Sequence, residues 1–174
     1  AKWGVNDHER ADFARLALAQ PYQVRFIEFM PVGKNSTWKR DCYISSSELQ
    51  ELIGRVGSLE ALPGSRMDGP ARVYSLTAPD GSRGRVGFIS PISHHFCDTC
   101  NRLRLTSAGM LRACLLHDRE ADLKTLLRSG ASDEAIRDLI KKTILDKPKG
   151  HTLAEDLKKK SQALCEGQMS RIGG

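Results

Sequence analysis

Three cysteines constrain this chain more than any other feature. Cys97-Asp98-Thr99-Cys100 is a C-x-x-C, and Cys114 follows after thirteen intervening residues. A C-x-x-C turn lets two thiolates meet one metal ion or cluster without backbone strain. Between it and Cys114, Arg102-Leu103-Arg104-Leu105-Thr106 alternates strictly, predicting a strand with both arginines on one face and both leucines on the other. Ser107-Ala108-Gly109 can turn the chain into a second strand, Met110 to Leu116. That hairpin would carry Cys114 back beside Cys97 and Cys100.

Three thiolates can hold two things. Cys114-Leu115-Leu116-His117 offers a fourth ligand, and Cys97, Cys100, Cys114 and His117 would then make a structural Cys₃His zinc site. Alternatively the three cysteines hold a [4Fe–4S] cluster with one iron open to a ligand or substrate. Spacing by itself favours zinc. Arg102 and Arg104 shift the weight, because fixed cations beside a thiolate cluster offset its charge and can grip a phosphate or carboxylate in fork geometry. A structural zinc gains little from them. The plainer reading is an edge strand with two solvated arginines.

The remaining composition narrows the class. Five cysteines, an odd number, do not make a disulfide framework, and Cys42 and Cys165 read as buried small apolar residues. No apolar run approaches the roughly 18 residues needed to span a bilayer, and none resembles a signal peptide. Net charge is +6, which suits an anionic partner such as a nucleotide or phosphate. Much of that excess lies between Lys141 and Lys160, with seven lysines against three acids, and reads as a solvated helix face.

Along the chain, Asn6 or Asp7 can cap a helix from about His8 to Ala19 with Phe13, Leu16 and Ala17 on one face. Gln23 to Met30 reads as a strand stopped by Pro31. A helix followed by a buried strand is the repeat unit of an α/β sheet or barrel. Arg25 inside that strand needs a partner, either Glu28 or a bound anion. Met30, at the carboxyl end, stands where ligands sit in such sheets and barrels. A helix is expected from Ser45-Ser46-Ser47 through Val56, and two strands, Ala71–Leu76 and Arg83–Ser90, joined through Pro79-Asp80-Gly81. Helices at about Glu120–Arg128 and Ser132–Ile144 are split by Gly130, and Thr152-Leu153-Ala154-Glu155 can open a last one to about Cys165. The terminal Gly173-Gly174 is by default a tail.

Phe26-Ile27-Glu28-Phe29-Met30-Pro31, His95-Phe96-Cys97-Asp98-Thr99-Cys100-Asn101-Arg102-Leu103-Arg104, Cys114-Leu115 and Ile172-Gly173-Gly174 together resemble the C-terminal half of the MoaA family. These are the radical S-adenosylmethionine GTP 3′,8-cyclases of molybdenum cofactor biosynthesis. The resemblance runs from about Gly4 to Gly174. It implies a fold passing from α/β to α+β: the remnant of an incomplete TIM-like barrel, then a small antiparallel-sheet and helix domain. The expected divisions are residues 1–32 for the last barrel unit, 33–145 for the cluster-binding domain and 146–174 for a basic helical tail.

The resemblance also implies roles. Cys97, Cys100 and Cys114 would hold the family's second [4Fe–4S] cluster, whose open iron contacts the guanine of GTP. Arg102, Leu103 and Arg104 would line the GTP site with Arg25, Met30 would contact S-adenosylmethionine, and Gly173-Gly174 would reach the active site. A cytoplasmic lyase is implied, with neither nucleic acid nor membrane as partner. The family's C-x-x-x-C-x-x-C, which binds the first, radical-generating cluster, is absent from this sequence. The reading therefore expects a piece of a longer enzyme, inactive as a cyclase by itself, whose uncovered strand docks on its own C-terminal domain, forms a homodimer or is disordered. Its non-enzymatic rival is a zinc-stabilised basic module on Cys97, Cys100, Cys114 and His117 that binds nucleic acid or a protein.

Overall fold

A computed structural model of the chain describes residues 1–33, 36–64, 69–151, 165 and 171. These form two compact units: Ala1–Met30 with Trp38–Phe96, and Pro31–Thr37 with the described part of Cys97–Gly174.

In the first unit, helix α1 (Arg10–Ala19) and strand β1 (Gln23–Ile27) precede helix α2 (Ser46–Ile53) and strands β2 (Ser58–Ala61), β3 (Arg72–Thr77) and β4 (Arg83–Ile89). The sheet runs β1-β4-β3-β2, with β1 parallel to β4 and the other pairs antiparallel. It is an open mixed sheet, and among the described residues no barrel is closed. The core packs Ala14 and Ala17 of α1 and Leu49 and Ile53 of α2 against Phe26, Leu76, Val86 and Phe88 of the sheet.

Helix α1 departs from expectation at its start and on its face. Asn6 and Asp7 do not cap it: Asn6 Oδ1 accepts from the Lys2 N–H at 2.8 Å and Asp7 Oδ1 from the Gly4 N–H at 2.7 Å, closing turns upstream. Ala14 and Ala17 are buried, whereas Phe13 and Leu16 are exposed. Close approach explains this choice. A Cβ on Gly84 would stand 2.2 Å from the Ala17 carbonyl oxygen, so the helix backbone lies directly on β4 and only small side chains fit between.

Strand β1 is shorter than the apolar run suggested. Its pairing with β4 ends at Ile27↔Ile89, and the Glu28 N–H makes one further bond to the Ile89 carbonyl at 3.1 Å. The Phe29 carbonyl then accepts from Trp38 Nε1 instead, so Met30 lies beyond the strand rather than at its end. Glu28 does not pair with Arg25. The two stand on opposite faces of an extended chain, Phe26 and Glu28 buried and Arg25 exposed. The carboxylate of Glu28 accepts instead from the backbone N–H groups of Ser46 and Ile92, both at 2.9 Å, and of Ser93 at 3.0 Å, and from the Ser93 hydroxyl.

Other expectations hold. The helix expected from the serine cluster forms as α2, ending at Ile53 rather than Val56, and Ser45 and Glu48 close a capping box at its start. Between β3 and β4, Asp80 accepts from the Ser82 N–H and hydroxyl, and Gly81 takes φ of 85°. Strand β2, hydrogen-bonded along β3, was not legible from its short sequence.

The second unit carries a three-stranded antiparallel sheet, β5 (Arg104–Leu105), β6 (Met110–Arg112) and β7 (Ala121–Asp122), with helices α3 (Leu123–Arg128) and α4 (Asp133–Leu145). The Thr106 N–H bonds the Met110 carbonyl at 2.8 Å and Gly109 has φ of 80°, as the predicted turn requires. Strand β6 stops at Arg112 rather than Leu116, and the chain then loops out to β7, which the sequence did not announce. Asp122 caps α3 and Ser132 caps α4, with Gly130 at φ 71° between them. The helix expected from Thr152 and the Gly173-Gly174 tail lie outside the described residues. Among those described, no helix is long and apolar enough to cross a membrane.

Candidate functional site

The site is built on the second unit. Cys97–Thr99 winds one 3-10 turn, and the Cys100 N–H bonds back to the Cys97 carbonyl at 3.1 Å, setting both thiols on one short turn. The β5–β6 register, Arg104↔Arg112 and Leu105↔Leu111, then returns the chain, and Cys114 follows two residues beyond β6. All three thiols are free and partly buried.

Their surroundings differ. Burial raises the Cys97 thiol pKa, helped by the charges of Cys114, Cys100 and Asp98, while the backbone N–H of His151 pulls the other way. Burial also pushes Cys100 up, but there the backbone N–H of Arg102, the Lys147 ammonium and the Arg102 charge overcome it, and the net shift is downward. The Cys97 thiol therefore lies close enough to the other two to feel their charge.

Among the described residues, no three His, Cys, Asp or Glu side chains form a group able to hold a single metal ion. The Cys₃His zinc site is thus not assembled. His117 instead lines, with Cys114, Glu120, Lys142, Thr143 and Asp146, a cavity of about 350 Å³, its buried Nε2 without a hydrogen-bond partner among the described residues. A four-iron cluster makes a different demand. Each of its cysteines binds a separate iron, so the sulfurs need not converge on one point. Three thiols free of disulfides in one unit, with a cation against one of them, suit that group.

The arginines are not a solvated edge. Arg104 is half-buried, and its pKa is lowered by burial first and by the charge of Arg102 second, with the Cys100 and Cys114 thiolates opposing. The leucine face is the surprise: Leu105 is 59% exposed, and Leu103 precedes the strand rather than sitting in it. Only Arg104 and Leu105 pair, so the expected five-residue alternation covers two residues of strand.

The other candidates belong to the first unit. Arg25 Nε and Nη2 donate to Gln23 Oε1 at 3.0 and 2.7 Å, its Cγ lies over Gly87, and it lines a cleft of about 290 Å³ with Arg10, Phe13 and Ile27. Met30 is partly buried and ends the first stretch of chain in that unit.

Sequence reasoning missed three residues. Lys147, taken for part of a solvated lysine face, is partly buried, and its Nζ donates to the carbonyls of Cys100 at 2.7 Å and Arg102 at 2.9 Å and to Cys100 Sγ at 3.4 Å. Its position before Pro148, just past α4, was the available signal. His151 supplies a backbone donor to Cys97. Arg112, 1% exposed, ties down the loop that bears Cys114: it bonds Glu120 at 3.2 Å, Asp118 at 3.1 Å, the His117 carbonyl, and Cys165 Sγ at 3.3 Å. Cys165 is buried, as expected, but as the partner of that guanidinium.

A family model described as Molybdenum Cofactor Synthesis C matches residues 22–153. The chain belongs to that family. The matched span holds all three cysteines, Arg102, Arg104 and Lys147. Curated relatives agree. A protein of Thermodesulfovibrio yellowstonii named GTP 3′,8-cyclase is 49% identical over 148 residues, 84% of this chain and 44% of its own length. Proteins of the same name from Desulforamulus reducens and Nostoc are 43% and 40% identical, each over 98% of this chain and about half of their own length. The chain therefore spans about half the length of these relatives, and it matches their C-terminal part.

Proposed function

We propose that this chain is the substrate-side part of a cytoplasmic GTP 3′,8-cyclase, the radical S-adenosylmethionine lyase that opens molybdenum cofactor biosynthesis. In this reading Cys97, Cys100 and Cys114 hold a [4Fe–4S] cluster, which supplies one open iron as a Lewis-acid position for a nitrogen of the guanine base. Support comes chiefly from one observation: three free thiols share a unit with two arginines and a lysine placed against the C-x-x-C turn.

The chain's own residues do the rest. Arg102 and Arg104, partly buried and near enough for one to feel the other's charge, offer fork donors to the triphosphate, and Leu103 between them in sequence gives an apolar contact. Burial strengthens such ion pairs by reducing the screening of charge. In the first unit, Arg25 is a further basic contact for GTP and Met30 one for S-adenosylmethionine. There β1 is the edge strand of an open sheet, as the last unit of a partial barrel would be before pairing with earlier strands. Gly173 and Gly174 would complete the site as a terminal tail.

GTP binding to the anaerobically reconstituted chain, measured by calorimetry, tests the reading. Arg102→Ala and Arg104→Ala should each cost about tenfold in affinity, the worth of roughly 1.4 kcal/mol for a charge-assisted bond. Equal binding by the double variant would refute it. Nucleic-acid binding with a steep salt dependence would favour a basic module instead. With reductant and S-adenosylmethionine, the chain alone should give no product.

A further inference from the structure

The short segment after α4 wraps the C-x-x-C turn. Lys147 Nζ has three donors, and the structure gives it three acceptors, two carbonyls and the thiol of Cys100. The carbonyls belong to Cys100 and Arg102, so one ammonium fixes both the second cysteine and the start of the arginine pair. Four residues on, the His151 backbone N–H reaches Cys97. Both cysteines of the turn thus receive a donor from the same stretch of chain, residues 147–151. Carbonyls that converge on one point repel one another, and a loop holding Cys100 and Arg102 in that arrangement needs a cation at their focus.

We propose that Lys147 is a positioning residue for the cluster: it locks the turn in the conformation that presents Cys97 and Cys100, and it places a fixed positive charge at the Cys100 corner. This rests on the cluster reading above. Groups that orient metal ligands typically change affinity by about 10- to 100-fold when removed. The charge has a separate consequence. A cation beside an anionic cluster favours its reduced, more negative state, so removing it makes reduction harder.

The experiment uses the 174-residue chain and its Lys147→Met and Lys147→Arg variants, reconstituted anaerobically. Against a chelator, Lys147→Met should lose iron about 10- to 100-fold faster than the unmodified chain. Its cluster should also reduce at a more negative potential in a dye-equilibrated titration followed by electron paramagnetic resonance. Lys147→Arg, which keeps charge and donors, should recover most of both. Hydrogen exchange on the iron-free proteins provides an independent arm. Lys147→Met should speed exchange in residues 97–102 and leave β3 and β4 protected, which also shows that the variant is folded. A loaded unmodified chain whose Lys147→Met variant matches it in retention and potential overturns the proposal alone. An unmodified chain that takes up no iron overturns the cluster reading, and the proposal falls with it.

Discussion

Glu28 offers the sharpest test of how the first unit holds together. The carboxylate is 1% exposed and receives four donors: Ser46 N–H and the Ser93 hydroxyl on Oε1, Ile92 N–H and Ser93 N–H on Oε2. The Ser46 N–H is one of the orphan donors at the start of α2, so the charge also sits at the positive end of that helix. Glu28→Gln keeps the shape and removes the charge. With its carbonyl in the Oε2 position, glutamine still serves Ile92 and Ser93, and the Ser93 hydroxyl can rotate to accept. The Ser46 N–H then faces an amide donor. One buried donor left unmet costs about 1–3 kcal/mol, and two bonds that lose charge assistance cost about 0.5–1 kcal/mol each. The expected loss is about 3 kcal/mol.

That figure is a large fraction of an ordinary domain's stability of roughly 5–15 kcal/mol. Urea unfolding followed by tryptophan fluorescence reads it, since the Trp38 indole bonds the Phe29 carbonyl next to Glu28. The pH dependence supplies a second signature. Burial pushes the Glu28 pKa up, but the bonds from Ser93, Ser46 and Ile92 outweigh it and the folded value lies below the ordinary one. A depressed carboxylate contributes stability that is complete above the unfolded pKa, near 4.3, and is lost as pH falls through the folded value. Glu28→Gln should therefore be weaker at pH 7 and show a shallower acid loss. A change under about 1 kcal/mol at pH 7, or an unchanged acid slope, would refute the reasoning.

Other perturbations follow from the same geometry. Gly84→Ala should destabilise by about 3 kcal/mol or prevent folding, because the new methyl meets the Ala17 carbonyl, which is backbone and cannot swing aside; a melt within about 1 kcal/mol of the parent would contradict that packing. Arg112→Met should cost only about 1–2 kcal/mol, less than a fully buried pair, because Asp118 and Glu120 reach water. The same variant should loosen the loop bearing Cys114, seen as faster hydrogen exchange across residues 113–120. Ser132→Ala removes the side-chain cap of α4 and should cost about 1 kcal/mol by the same melt.

What could be read from the sequence had local causes. The C-x-x-C turn, the Ser107-Ala108-Gly109 reversal, the serine cluster that starts α2 and the Gly130-to-Ser132 break each depend on residues within a few positions of one another. What stayed hidden depends on partners far along the chain. Phe13 and Leu16 carry the apolar pattern of α1, yet Gly84, some 70 residues on, brings the backbone so close that alanines take the buried face. Glu28 looked like a partner for Arg25 until α2 and the Ile92–Ser93 turn supplied backbone donors. Strand β7 has two residues, too few for any period to show. Lys147 was submerged in a lysine-rich stretch, and only the turn it meets distinguishes it from its neighbours.

The central claim is that Cys97, Cys100 and Cys114 carry one four-iron cluster, and metal analysis after anaerobic reconstitution tests it most directly. The account predicts about four iron and four sulfide per chain, with loss of the cluster's visible absorption in Cys114→Ser. One zinc per chain, no iron, and an unchanged content in Cys114→Ser would contradict it.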